Sequence, residues 1–202
     1  MAGTVDSNLE SKYAANVLDP MDDMSAYEAW RGTLHGFWRP ARGMRIPEHL
    51  MPKRARFRKG KRLFDYNGYG RFRPIISDRL KALMESIEPD VHQFSRVEVF
   101  HKDGTPYGGT YWYYVILTCI DAINPIKGGV EKTIWPPPED YRWTIKSGGV
   151  DRLAVYKDRV VGRAMWWDKR HQVPEFYSDA LINAMREEKM EGWAVTKYWE
   201  EV

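Results

Sequence analysis

The sequence predicts an α+β fold: a single domain on a largely antiparallel sheet with two or three helices. Three observations carry this. Several short apolar or alternating segments are joined by turn signals at hairpin spacing, the pattern of antiparallel strands. Two other segments repeat apolar residues at helical spacing behind a Ser-Asp start. A chain of 202 residues with 43% hydrophobic and 14% aromatic side chains can also fill a core, and no boundary demands a second domain.

Residues 1–12 are polar and expected to be flexible, which leaves 13–202 as the domain. A short strand is expected at 13–18, before Asp19-Pro20. Residues 25–31 have helical composition, a Ser start and a stop at Gly32. From 36 to 70 the chain is rich in Gly, Pro and Arg and dotted with Phe37, Trp38, Phe57, Phe64, Tyr66 and Tyr69. It reads as an irregular basic and aromatic arm laid over the core.

The first strong helix begins at Ser77 and ends at Pro89. Its start, Ile75-Ile76-Ser77-Asp78-Arg79-Leu80, returns near the end as Phe176-Tyr177-Ser178-Asp179-Ala180-Leu181. In each copy the Ser hydroxyl can accept a bond from an unpaired first-turn N–H. The Asp behind it puts negative charge at the positive end of the helix dipole. Leu80, Leu83, Met84 and Ile87 then form one buried face, repeated more weakly by Leu181, Ala184 and Met185. The copies are too far apart for a solenoid array. They read as two capped helices, each leading into a strand.

Between them, 94–100 is a predicted strand, Lys102-Asp103-Gly104 a turn and 111–120 a long β-rich strand, together a hairpin. Residues 124–149 hold two Gly-Gly pairs and Pro136-Pro137-Pro138, and read mostly as loop with a candidate strand at 141–145. Residues 153–156 and 160–167 resemble another hairpin, turning at Lys157-Asp158. The second capped helix spans 178–189, with Gly192 as its stop and a last strand at 193–196.

Chemical motifs are missing. There is no Gly-x-x-x-x-Gly-Lys-Ser/Thr phosphate loop, no Gly-x-Gly-x-x-Gly turn and no Gly-x-Ser-x-Gly elbow. His35, His49, His92, His101 and His171 form no His-x-x-x-His pair, and the single cysteine, Cys119, lies in an apolar run, so no metal site is indicated. The acidic pairs Asp22-Asp23, Glu139-Asp140 and Glu187-Glu188 have no positioned base or nucleophile beside them. No catalytic residue, cofactor or metal is expected. The first residues carry no signal-peptide pattern, and no stretch approaches the ~20 apolar residues of a membrane helix. A cytoplasmic protein is the expectation.

The net charge of +3 is unevenly placed. Lys53, Arg54, Arg56, Arg58, Lys59, Lys61 and Arg62 crowd into ten residues with no acid among them, and the rest of the chain holds 24 basic against 28 acidic side chains. The run from Lys53 to Arg62 could grip phosphates, with Phe57 stacking on a base, which gives a nucleic-acid-binding accessory protein as the alternative function. A solvated loop with packed Arg stems is the plainer reading. Two other regions have the composition of protein interfaces. One is Trp135, Glu139, Asp140, Tyr141, Arg142 and Trp143. The other is Arg163, Trp166, Trp167 and Arg170, where strand alternation would bury one Trp and leave its neighbour exposed.

The order Ser77-Asp78-Arg79-Leu80, His92-Gln93-Phe94 with Val97 and Val99, the aromatic strand 111–118 with Asp121, Val161-Gly162, Met165-Trp166-Trp167, Ser178-Asp179-Ala180-Leu181 and Gly192-Trp193 resembles a known family. It is that of bacterial immunity proteins from polymorphic-toxin systems, the eleventh of that series and formerly a domain of unknown function. The likeness runs from about residue 75 to the end, with a looser fit over 37–69. It implies no catalytic residues, and a protein partner: a cognate toxin encoded by the adjacent gene, bound and blocked. With no export signal read in the chain, that toxin is expected to act in the cytoplasm.

Overall fold

The computed structural model describes residues 2–7, 17–33, 42–68, 72–134, 141–145, 152–171 and 175–202. Its strands are β1 (Ala2–Ser7), β2 (Val17–Pro20), β3 (Arg54–Lys59), β4 (Tyr66–Asn67), β5 (Ile75–Ser77), β6 (Gln93–Phe100), β7 (Tyr111–Val115), β8 (Cys119–Ile120), β9 (Val130–Ile134), β10 (Tyr141–Ile145), β11 (Arg152–Val155), β12 (Met165–Asp168), β13 (Phe176–Tyr177) and β14 (Trp193–Glu201). Helices are α1 (Ser25–Thr33), α2 (Asp78–Ile87), α3 (Lys157–Val160) and α4 (Asp179–Glu187), with a 3-10 turn at Glu48–Leu50. The strands form two six-stranded sheets, ordered β2-β3-β6-β7-β5-β4 and β11-β14-β1-β13-β12-β8, and a separate pair, β9 and β10. Most pairings are antiparallel; β3 with β6, β11 with β14 and β8 with β12 are parallel. The fold is a single α+β domain. Among the described residues no helix is long and apolar enough to cross a membrane.

The predicted caps explain both main helices. Ser77 Oγ accepts from Leu80 N–H and Ser178 Oγ from Leu181 N–H, each at 3.2 Å. The apolar faces then meet. Leu80 and Met84 of α2 join Leu181, Ile182 and Met185 of α4 in a shared core with Tyr66, Ile76, Tyr114, Met165, Trp167 and Tyr177 of the two sheets. The Tyr114 and Tyr177 hydroxyls are hydrogen-bonded to each other there. Burial pushes the Tyr114 phenol up to about 12 and that of Tyr177 well above its ordinary value, so both stay neutral and one hydroxyl donates to the other.

Each sheet also has a core on its other face. Tyr113 and Val115, alternating with Tyr114 on β7, face a second cluster with Leu18, Tyr27, Ile46, Phe57, Val97 and Val99. Trp166, alternating with Met165 and Trp167 on β12, faces a third with Leu153, Val155, Phe176 and Trp199. The chain crosses between the sheets at 116–118, so the predicted long strand 111–120 is two strands, β7 and β8, one in each sheet.

Several expectations are corrected. Residues 2–7 of the supposedly flexible N-terminus are β1, hydrogen-bonded between β13 and β14. A ladder is made by the main chain, so polar side chains do not prevent it. β11 and β12 do not form a hairpin: the expected turn is α3, and β11 pairs with β14 instead. The arm at 36–70 contains β3 and β4, while Phe37, Trp38 and Tyr69 lie outside the described residues. Helix α1 continues through Gly32 to Thr33.

Gly192 does not stop α4. The helix ends at Glu187 and is capped by Glu188, whose N–H bonds back to Ala184 O, and Lys189 turns the chain at φ +52°. Gly192, at φ +91°, instead lies where a Cβ would come within 2.2 Å of Tyr66 O and 2.5 Å of Phe64 Cβ. Its missing side chain lets the segment after α4 dock on β4.

Candidate partner-binding surface

The surface is built outward from one buried carboxylate. Asp168, at the end of β12, accepts four backbone N–H bonds: Ala122 (2.8 Å) and Ile123 (3.1 Å) on one oxygen, Arg170 (2.8 Å) and His171 (3.0 Å) on the other. Burial pushes its pKa up, against the pull of these donors. The bonds fix the bend at 168–171, and the β10 strand docks on that bend. Trp143 N–H donates to Arg170 O at 2.8 Å, and Trp143 forms an isolated parallel bridge with His171. Arg42 braces the same bend, donating to His171 O at 2.8 Å with its guanidinium 4.3 Å from the Trp167 ring centroid.

In the β9–β10 pair, residues directly opposite share a face. The register sets Ile134 opposite Tyr141, Lys132 opposite Trp143 and Val130 opposite Ile145. Val130 is buried in the third core, and from there the face runs outward to Ile134, which is 86% exposed. Tyr141 and Trp143 meet edge-on, centroids 5.1 Å apart at 70°. Lys132 Nζ lies 4.2 Å and the Arg170 guanidinium 3.9 Å from the centroid of Tyr141. Arg170 is held by Asp121, Nε to Oδ2 at 3.1 Å. The result is a half-exposed aromatic pair flanked by two cations and two exposed isoleucines, Ile134 and Ile145, on a fixed frame.

Structure and sequence divide over the residues expected here. Tyr141, Trp143 and Arg170 are brought together. Trp135, Glu139 and Asp140 lie outside the described residues. Arg142 is only 3% exposed, so it is a buried residue of β10 and not a surface charge. Trp166 and Trp167 do face opposite sides, yet they are 0% and 7% exposed. The expected exposed tryptophan is absent because the sheet has a core on both faces. Arg163 lies elsewhere, donating to Glu88 at 2.9 Å. Ile134 and Lys132 were not anticipated, because Lys132 breaks the period-two alternation of Val130-Glu131-Lys132-Thr133-Ile134.

Four of the seven cations of the basic run pair with carboxylates at the surface of the fold. Lys53 pairs with Glu48, Arg54 with Asp22 at 2.8 Å, Arg58 with Asp19 at 3.6 Å and Arg62 with Glu191. Phe57 is 2% exposed and cannot stack on a base. Among the described residues no three His, Cys, Asp or Glu side chains converge as metal ligands.

The arrangement described offers a contact surface and a rigid frame. No curated protein matches the chain. A profile of the immunity protein family (Imm11) matches residues 8–199, spanning the β9–β10 surface and most of the frame, though not β1. Over that span, nearly the whole of its 202 residues, the chain belongs to the Imm11 immunity protein family.

Proposed function

We propose that this protein binds and neutralises a co-encoded antibacterial toxin that acts in the cytoplasm, through a protein–protein interface and without chemistry of its own. The observation that carries the reading is the family match over residues 8–199. We further propose that the toxin contacts the β9–β10 face, with Tyr141, Trp143 and Arg170 at its centre and Ile134 and Lys132 beside them. An aromatic pair with an adjoining arginine on an ordered frame is the composition in which binding energy concentrates. Trp135, Glu139 and Asp140, between the two strands in sequence, belong to the same proposal. The nucleic-acid alternative loses support, because four of its seven cations are neutralised and its aromatic is buried.

Co-expression of this chain with the toxin gene beside its own is the test. The expected result is survival of the host and a toxin complex on gel filtration. Continued killing with no complex would overturn the reading.

A further inference from the structure

The two six-stranded sheets contain the same arrangement twice. In the first, β5 leads through α2 to β6, and β7 lies between β5 and β6, antiparallel to both. In the second, β13 leads through α4 to β14, and β1 lies between β13 and β14, again antiparallel to both. Each is a parallel β-α-β crossover with an opposed strand slotted into its middle. The match continues outward: β4 is antiparallel to β5 as β12 is to β13, and β3 is parallel to β6 as β11 is to β14. Register is also kept. Ile76 stands opposite Tyr66 and Trp112, and its counterpart Tyr177 opposite Met165 and Gly3. Ser77 N–H bonds to Asp65 O and Ser178 N–H to Ala164 O, both at 2.9 Å.

The halves dock reciprocally through these same positions. After α2, the Glu88 carboxylate takes the N–H of Ala164 at 2.8 Å. After α4, Glu191 O takes the N–H of Tyr66 at 3.1 Å while Glu191 N–H donates to Asp65 at 2.9 Å. Chain order is broken at one strand only. β7 follows β6, whereas the equivalent slot beside β14 is filled by β1, from the opposite end of the sequence.

We propose that the second half is a circularly permuted copy of the first, in which β13 and β14 form a strand-accepting slot and residues 2–7 are the donor strand bound in it in cis. Vacating the slot would leave ladder groups unpaired on two facing edges, since Gly3 is matched with Tyr177 on one side and Tyr198 on the other. The occupant's source follows from position: Ala2 pairs with Trp199, close to the end of β14, so a short turn after Val202 could deliver the same strand as β6 delivers β7.

The test uses the full chain and two variants. Gly3→Pro removes a main-chain donor from β1, a strand with a partner on either side. It should lower the melting temperature by roughly 5–10 °C and strip amide-exchange protection from β13 and β14. The second variant keeps Gly3→Pro and appends a copy of residues 2–7 after Val202 through a short Gly-Ser turn. It should recover both the melting temperature and the protection. A Gly3→Pro chain that melts and exchanges as the parent does would overturn the donor strand. Failure of the appended strand to restore either readout would overturn the permuted copy. Recovery only in a species larger than the parent would place the strand in a second molecule and overturn the assignment in cis.

Discussion

Glu88 closes α2 and also holds the second half of the molecule. Its carboxylate accepts from Ala164 N–H at 2.8 Å, Arg163 at 2.9 Å and Thr118 at 3.3 Å. His92 takes a bond from Leu117 N–H on Nδ1, so its Nε2 carries the proton and donates to Glu88 at 3.2 Å. Burial alone would push this carboxyl up, but the bonds from His92, Ala164 and Arg163 outweigh it and hold the pKa at about 2. A carboxylate with a depressed pKa stabilises the fold above its unfolded value near 4.5, and that contribution fades as pH falls toward 2. Stability should therefore drop between pH 4.5 and 2 by up to about 3 kcal/mol through this residue, and Glu88→Gln should flatten that part of the profile in urea titrations. Asp168 is the other single-residue tie. Asp168→Asn leaves one oxygen for four N–H donors, and should cost about 1–3 kcal/mol in thermal melts through the donors left unpaired. Neither role was legible in the sequence, because partners such as Ala164 and Ala122 are distant main-chain groups. Trp166 and Trp167 show the same limit: period-two alternation assigns the faces correctly, and only the tertiary fold says that both are covered.

The capped helices were legible because everything they need is local: Ser, Asp and an apolar stripe within a few residues. Ser178→Ala should cost about 1 kcal/mol by unpairing Leu181 N–H. Leu80→Ala and Leu181→Ala should each cost about 2–5 kcal/mol by opening a cavity in the shared core, and Trp166→Ala, now a core change, should behave alike in the third core. Toxin binding by the folded fraction should be unchanged in all of them. Gly192→Ala combines a left-handed φ with a clash against Tyr66 O, and should melt early; the stop signal read from sequence suggests the first cost but not the second. The misread elements share one cause. β11 looked like half of a hairpin, and its true partner, β14, is set by long-range pairing that adjacency cannot reveal. β1 looked unstructured for the same reason.

Across the whole molecule, two related sheets and their helices form the frame, and the β9–β10 pair is an addition with no counterpart in the first half among the described residues. This places the proposed recognition surface outside the repeated architecture, where change costs the frame least. The sequence led to that region through its aromatics, but it gave the shared face of Ile134, Lys132, Tyr141 and Trp143 no register, because register is a property of the pair. The basic run had the opposite fate, four of its seven cations being paired with Asp19, Asp22, Glu48 and Glu191 from three separate segments. Whether a partner toxin is held by this face is read by calorimetric titration of the toxin encoded beside this gene into the parent chain and into Tyr141→Ala. Binding should weaken by about 1–4 kcal/mol in Tyr141→Ala with an unchanged melting temperature. Full-strength binding by a normally folded Tyr141→Ala, Trp143→Ala double variant would contradict it.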